Sequence, residues 1–241
     1  MEIKTAIILA AGKGTRLRSV TRDETPKPLT PLKGQPIIEY SIKALKKAGV
    51  QKILLGCGHL LQSFTYLEKK YEEVKIVENP FYDEHASIYT LLMFEKLVNE
   101  PFYLLEADIL YDPTIFEQFT PVDNNQNLIL TSEPLSLDDN VYFDSKEGRL
   151  TKLTKKEEDL SETGGVMTGV WAISDGFLNR FAQFCDQVNI EYNEDYEMLL
   201  ARYSLEQEPI NIIHFPDLNW CEIDNEDHLK YALNEVLPLI T

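Results

Sequence analysis

Small residues between two cations open the chain's chemistry: Leu9, Ala10, Ala11, Gly12, Lys13, Gly14, Thr15 and Arg16 follow a short apolar run. The backbone N–H groups of such a loop can approach a polyphosphate closely, and Lys13 and Arg16 put positive charge where phosphate oxygens gather. Standing alone, the loop is equally a glycine-containing βα turn with solvated cations. A dinucleotide site fits less well, because Leu17 to Thr21 supplies no third glycine for a G-x-G-x-x-G spacing. A second group is Glu106-Ala107-Asp108, at the end of an expected strand. Side chains alternate along a strand, so both carboxylates face one side, as oxygen ligands of Mg²⁺ require. Strand C-termini are also where open α/β sheets bind ligands. Asp112, before Pro113, reads as a turn or helix cap. A third group is Cys221-Glu222-Ile223-Asp224, with two carboxylates on one face. On its own it is equally a helix start capped by Asp224 or Asn225.

The elements that must position these groups alternate in type. Residues 5–9 read as a buried strand feeding the loop. In the stretch from Pro36 to Gly49, Ile37, Ile38, Ser41, Ala44, Leu45 and Ala48 share one helical face. Pro36 suits the first turn of that helix and Gly49 its stop. Strands over 52–56, 75–77 and 102–106 alternate with helices over 61–71 and 87–97, a βαβ order that implies a mostly parallel sheet. A short helix over 113–119 precedes strand-like pieces at 127–130, 141–144 and 150–152, read as a small β-rich, acceptor-binding insertion facing the nucleotide half. A core strand over 166–173, helices over 176–187 and 196–204, a strand over 210–214 and a helix over 226–236 follow. The expectation is one α/β domain over 1–241 with a Rossmann-like, mostly parallel mixed sheet flanked by helices. Residues 1–120 would mainly bind nucleotide and 121–241 mainly the acceptor. Residues 155–165, KKEEDLSETGG, read as a solvated loop and a candidate lid.

The chain has 241 residues, 44% of them apolar, enough for one sizeable core. With 23 Lys and Arg against 40 Asp and Glu, its formal net charge of −17 repels phosphate backbones and anionic lipid, which argues against nucleic acid and membrane as partners. Cys57, Cys185 and Cys221 have no metal-binding or disulfide spacing, so a reducing cytoplasm is expected. The apolar run near the N-terminus reads as a first strand and not as a signal peptide.

Two motifs at this separation resemble the nucleotidyltransferases of the sugar-phosphate and choline-phosphate type. They are Ala11-Gly12-Lys13-Gly14-Thr15-Arg16-Leu17, against A-G-x-G-T/S-R-L, and Pro26-Lys27-Pro28. The resemblance continues in order through Gly56-Cys57-Gly58-His59, Glu78-Asn79-Pro80-Phe81-Tyr82, Asp108 and Glu222-Ile223-Asp224, and so covers most of the chain. It implies that the loop from Leu9 to Thr15 holds the nucleotide, that Arg16 binds the triphosphate, and that Lys27 bridges phosphates of the two substrates. It further implies that Asp108, Glu222 and Asp224 hold Mg²⁺. Attack on an α-phosphorus builds charge on non-bridging oxygens, which fixed cations stabilise, and no nucleophilic triad is needed. Gly58, with His59 beside it, is a candidate for contact with the base.

The terminal E-I-D and the shortness of the chain beside sugar-phosphate enzymes point, within that resemblance, to transfer of CMP from CTP to phosphocholine or 2-aminoethylphosphonate. Such acceptors carry an amine, so aromatic walls and acids are expected around it. Tyr192 and Trp220 are candidate walls, together with Tyr82, Tyr142 and Tyr196; Asp195 and Glu194 are candidate ammonium partners. Lys155 matches a lysine that often meets the acceptor phosphate, with Lys152 and Lys156 close by. His85-Ala86-Ser87 stands where phosphocholine enzymes are expected to carry a polar pair, which makes a primary amine a serious alternative. The rival readings are a sugar-1-phosphate nucleotidyltransferase and a non-catalytic nucleotide-binding module.

Overall fold

The computed structural model describes residues 2–123, 125–160 and 164–241; of the expected lid, residues 161–163 lie outside the described residues. Strand β1 (Thr5–Ala10) is almost wholly buried, as a strand covered on both faces must be. The loop after it leads to a short helix α1 (Arg18–Thr21) and a small hairpin of β2 (Pro31–Leu32) and β3 (Gln35–Pro36). Helix α2 (Ile37–Lys47) buries Ile37, Ile38, Ser41, Ile42, Ala44 and Leu45, with Pro36 just outside its first turn and Gly49 beyond its end. The chain then forms β4 (Lys52–Cys57), α3 (Thr65–Lys70), β5 (Val74–Glu78), α4 (Ser87–Leu92) and β6 (Phe102–Glu106). The two helices are shorter than expected: a 3₁₀ turn occupies Leu61–Phe64, and helical geometry ends at Leu92.

Sheet order fixes where the site must lie. The chain steps outward from β1 to β4 to β5 and returns to β6 on the other side of β1, all four strands being parallel. The loop after β1 and the end of β6 therefore flank the point at which strand order reverses, the usual ligand crevice of such sheets. Alternate residues of β1 face opposite layers. Ala6, Ile8 and Ala10 pack with Ile38, Ile42 and Leu45 of α2, and Ile7 with Ile88, Leu91 and Phe94 around α4.

Beyond β6 come β7 (Ile109–Tyr111), α5 (Ile115–Gln118), β8 (Asn127–Ser132), β9 (Tyr142–Lys146), β10 (Arg149–Thr154) and the fully buried β11 (Val166–Ile173). Helices α6 (Phe177–Val188) and α7 (Tyr196–Glu206), strands β12 (Ile210–His214) and β13 (Trp220–Glu222), and helices α8 (Glu226–Tyr231) and α9 (Leu237–Ile240) complete the order. A π-helical turn, Ala232–Val236, joins the last two. The sheet is mixed, as expected: parallel pairing holds for β5-β4-β1-β6 and for β8–β12, while β11 runs antiparallel to both β6 and β8. One expectation needs correction. The strands read as a separate insertion instead continue the same nine-stranded sheet, in the order β5-β4-β1-β6-β11-β8-β12-β10-β9. The long, apolar β11 supplies the hydrogen-bonding edge that joins the halves, which local strand patterns do not reveal. No helix among the described residues is long and apolar enough to cross a membrane.

Candidate functional site

A cleft of about 380 Å³ opens at the reversal point. Leu9, Ala10, Ala11, Gly12, Gly14, Thr15 and Arg16 line one side of it, with Lys27 beside them. Gly14 has φ +60, and a Cβ there would sit 2.7 Å from Lys27 Cβ, so the loop can lie against Lys27 only because this residue is glycine. Lys13 is not among the lining residues and pairs with Asp83. Gly58 is likewise outside the lining and packs beneath Tyr82, while His59 N–H donates to Ala11 O at 3.1 Å.

Two short strands bring the distant carboxylates together. β7, directly after Asp108, pairs antiparallel with β13 in a register that sets Ile109 opposite Glu222. The Ile223 N–H then donates to Asp108 O at 2.9 Å. Asn225 caps α8, its side chain accepting from the N–H groups of Asp227 and His228 at 2.9 and 3.0 Å. That leaves Asp224 free to turn into the cleft. Asp112 caps its own turn through Thr114 and stays out of the site.

Charge is arranged around one ammonium group. Lys27 Nζ pairs with Asp108 and lies 2.6 Å from Asp224 Oδ1, which also takes Arg16 at 2.8 Å. Burial would lower the Lys27 pKa, but Asp108 and then Asp224 more than reverse this and hold it above its usual range. Burial opposes ionisation of Asp224 too, and Lys27 and Arg16 outweigh it, so that carboxyl stays below its ordinary value. Arg16 also pairs with Asp139, from a loop that was not expected to contribute.

Glu106, Asp108 and Glu222 each place an oxygen within 4.8 Å of the others'. Burial, then Glu197 and Asp108, push Glu106 up to about 8. Burial, followed by the charges of Glu106, Asp108 and Asp224, raises Glu222 well above the carboxylate range. Such crowding is what a hard divalent cation relieves, and an all-oxygen donor set suits Mg²⁺. Asp224 Oδ2 is buried with no hydrogen-bond partner among the described residues, so this fourth carboxylate keeps one ligating atom available. The expected set of Asp108, Glu222 and Asp224 thus shares two members with the one the geometry gathers. Glu106 is placed by Tyr196, whose hydroxyl donates to it at 2.9 Å, and by Gly169, where φ is +76 and a Cβ would lie 2.5 Å from Glu106 Oε2.

Tyr82, His85, Ser87, Lys155, Asp195 and Glu197 also line the cleft. Among the neighbouring lysines, Lys152 is taken up by Asp159 O, and Lys155 is the one that lines the cleft. Asp195 precedes α7 and accepts from Ser87 Oγ at 3.4 Å. Of the five candidate aromatic walls, Tyr82 and Tyr196 line the cleft, and Tyr142, Tyr192 and Trp220 do not. Tyr192 packs against His85 and Tyr89, with ring centroids 5.5 and 5.6 Å away, and is not among the lining residues. Trp220, 5% exposed, borders a separate small crevice with Leu135, Leu137 and Met167. Sequence reasoning missed Asp139, Tyr196 as the partner of Glu106, and Glu197; all three are set by folding and not by a local motif.

Residues 6–134 match the family model described as the MobA-like NTP transferase domain. The chain is similar to the choline-phosphate cytidylyltransferase of Streptococcus pneumoniae, 36% identical over 156 residues that cover 60% of this chain and 66% of that protein. It is also similar to the 2-aminoethylphosphonate cytidylyltransferase of Lancefieldella rimae, 40% identical over 118 residues that cover 48% of each. These matches therefore span from about half to just under two thirds of the relatives' own length. Among solved structures, the inositol-1-phosphate CTP transferase of T. maritima superposes with a TM-score of 0.86, covering 100% of this chain and 97% of that one. At 22% identity that likeness is one of fold.

Proposed function

Since this chain belongs to the MobA-like NTP transferase family, we propose that it transfers CMP from CTP to a small phosphate or phosphonate bearing an amine, releasing pyrophosphate. The observation that carries this reading is the meeting of Arg16, Lys27, Asp108, Glu222 and Asp224 in one cleft beside the glycine loop. Similarity to two cytidylyltransferases with amine-bearing acceptors supports the choice of CTP and of acceptor.

In this reading the loop from Leu9 to Thr15 cradles the triphosphate through its backbone N–H groups. An acceptor oxygen attacks the α-phosphorus, the bond from that phosphorus to the bridging oxygen breaks, and pyrophosphate leaves with the electron pair. Arg16 and Lys27 offer positive charge to the phosphate oxygens as this charge develops. The carboxylates keep both side chains oriented until phosphates compete for them. Asp108 and Glu222, with Glu106 or Asp224, would hold Mg²⁺, which supplies Lewis-acid polarisation of the α-phosphate when bound. Lys155 and Asp195 would take the acceptor's phosphorus group and its amine.

The test is pyrophosphate release by purified protein with Mg²⁺ and each nucleoside triphosphate, crossed against 2-aminoethylphosphonate, phosphoethanolamine, phosphocholine and sugar 1-phosphates. Release with CTP and an amine-bearing acceptor, lost in Lys27→Ala and Asp108→Ala, is the expected result. Release only with a sugar 1-phosphate would overturn the acceptor. CTP binding without release from any pair would overturn the catalytic reading.

A further inference from the structure

The cleft wall at Asp195 and Glu197, the latter close enough for its charge to act on Glu106, carries carboxylates more than aromatic faces. Glu197 is 7% exposed, yet it lines the cleft. Among the described residues its carboxylate takes no side-chain hydrogen bond and forms no ion pair. Lys155 is near enough for its charge to be felt there, but the two form no ion pair. Its oxygens are therefore open to the cleft and available to a ligand that brings hydrogen-bond donors.

Two other features narrow what that ligand can be. Asp195, two residues earlier, lines the same wall and adds a second negative charge. Tyr192 and Trp220 stand outside the cleft, and Tyr196, 2% exposed, has its hydroxyl committed to Glu106. With Tyr196, Tyr82 and His85 are the aromatic rings that line the space. A quaternary ammonium is held by an array of aromatic faces and has no N–H to give. A primary ammonium has three N–H donors, which match unsatisfied carboxylate oxygens.

We infer that Glu197, together with Asp195, selects an acceptor whose amine is primary, and that the protein discriminates against the trimethylated form of the same molecule. This rests on the proposed cytidylyl transfer and names the acceptor class more narrowly. Glu197 acts as a specificity determinant: it accepts N–H donors that a trimethylammonium group cannot provide. Discrimination is strongest when a site built to hydrogen-bond is presented with an analogue lacking the donor.

The deciding experiment compares kcat/KM for 2-aminoethylphosphonate and its N,N,N-trimethyl derivative, with CTP and Mg²⁺, in the wild type and in Glu197→Gln. The wild type should favour the primary amine by on the order of 10- to 100-fold, the range expected for a charged hydrogen bond left unmade. Glu197→Gln should shrink that ratio by about tenfold while KM for CTP stays as in the wild type. Equal use of the two acceptors, a preference for the trimethyl compound, or an unchanged ratio in Glu197→Gln would overturn the inference. Should Glu197→Gln fail to fold, the wild-type ratio still decides. Turnover with both amines at one rate defeats this inference alone, whereas turnover with sugar 1-phosphates only defeats the proposed acceptor class as well.

Discussion

Glu39 on α2 and the group of Glu106, Asp108 and Glu222 are carboxylates drawn away from water, and the protein treats them in opposite ways. Glu39, 1% exposed, accepts from Lys70 Nζ at 2.9 and 2.7 Å, from Tyr66 at 3.1 Å and from Tyr71 at 2.8 Å. Burial alone would raise its pKa, but these donors hold it below the usual value. In the cleft, Glu106 has the Tyr196 hydroxyl, and Glu222 faces three other carboxylates. The first arrangement is complete without a ligand and locks α2 to α3 and the turn after it. The second is strained by like charge and is completed by something from outside. A buried acid by itself therefore says little about function, and its supply of donors says much.

Removing the central cation of the cleft should have the largest effect. Lys27→Met is expected to lower kcat/KM for CTP-dependent pyrophosphate release by about 10²- to 10³-fold, the range for losing one preorganised charge-stabilising donor. Full activity in that variant would place the cleft's cation cluster in the structural class of the Glu39 site. The converse substitution, Lys70→Ala, strips Glu39 of its charged partner. Its cost should be roughly 1–3 kcal/mol of stability in denaturant titration, with the rate of transfer unchanged.

Metal should separate the two sites further. Mg²⁺ binding to the folded state raises Tm by roughly 2–4 °C for each 1 kcal/mol of stabilisation at this chain length. That rise should be present in the wild type and in Lys70→Ala and absent in Asp108→Asn, read by a thermal scan. The smallest effect is on pH dependence. The folded-state pKa of Glu39 lies below its ordinary value of 4.5, so its stabilisation is complete above that value and is lost as pH falls through the lower folded value. Tm should therefore fall below about pH 4.5, and less steeply in Glu39→Gln; parallel slopes would remove Glu39 from the account.

Legibility followed locality. The strand, loop and helix from Thr5 to Lys47 announce themselves by apolar spacing, glycines and a proline at the helix start, all of which are neighbours in sequence. The acids Asp108, Glu222 and Asp224 stood out because each sits at a change between elements. The aromatic candidates fared differently. A tyrosine or tryptophan is as often core as pocket, and Trp220 proved to belong to the packing around β13. Strands β7 and β13 were not anticipated, because three residues are too few to carry a period.

By itself the sequence determined which residue types could meet phosphate and metal, and the order of strands and helices that would carry them. Only the tertiary structure decided their meeting. The β7–β13 pairing joins segments more than a hundred residues apart, and without it Glu222 and Asp224 would have no fixed relation to Asp108. The antiparallel β11 carries the Gly169 bend that makes room for Glu106 and joins both halves of the sheet. Propensity and periodicity act over a few residues, whereas register between distant strands is set by which buried faces fit together. That is also why Glu197 carries no signal as a letter in the sequence and becomes a candidate ligand group only at the wall of the cleft.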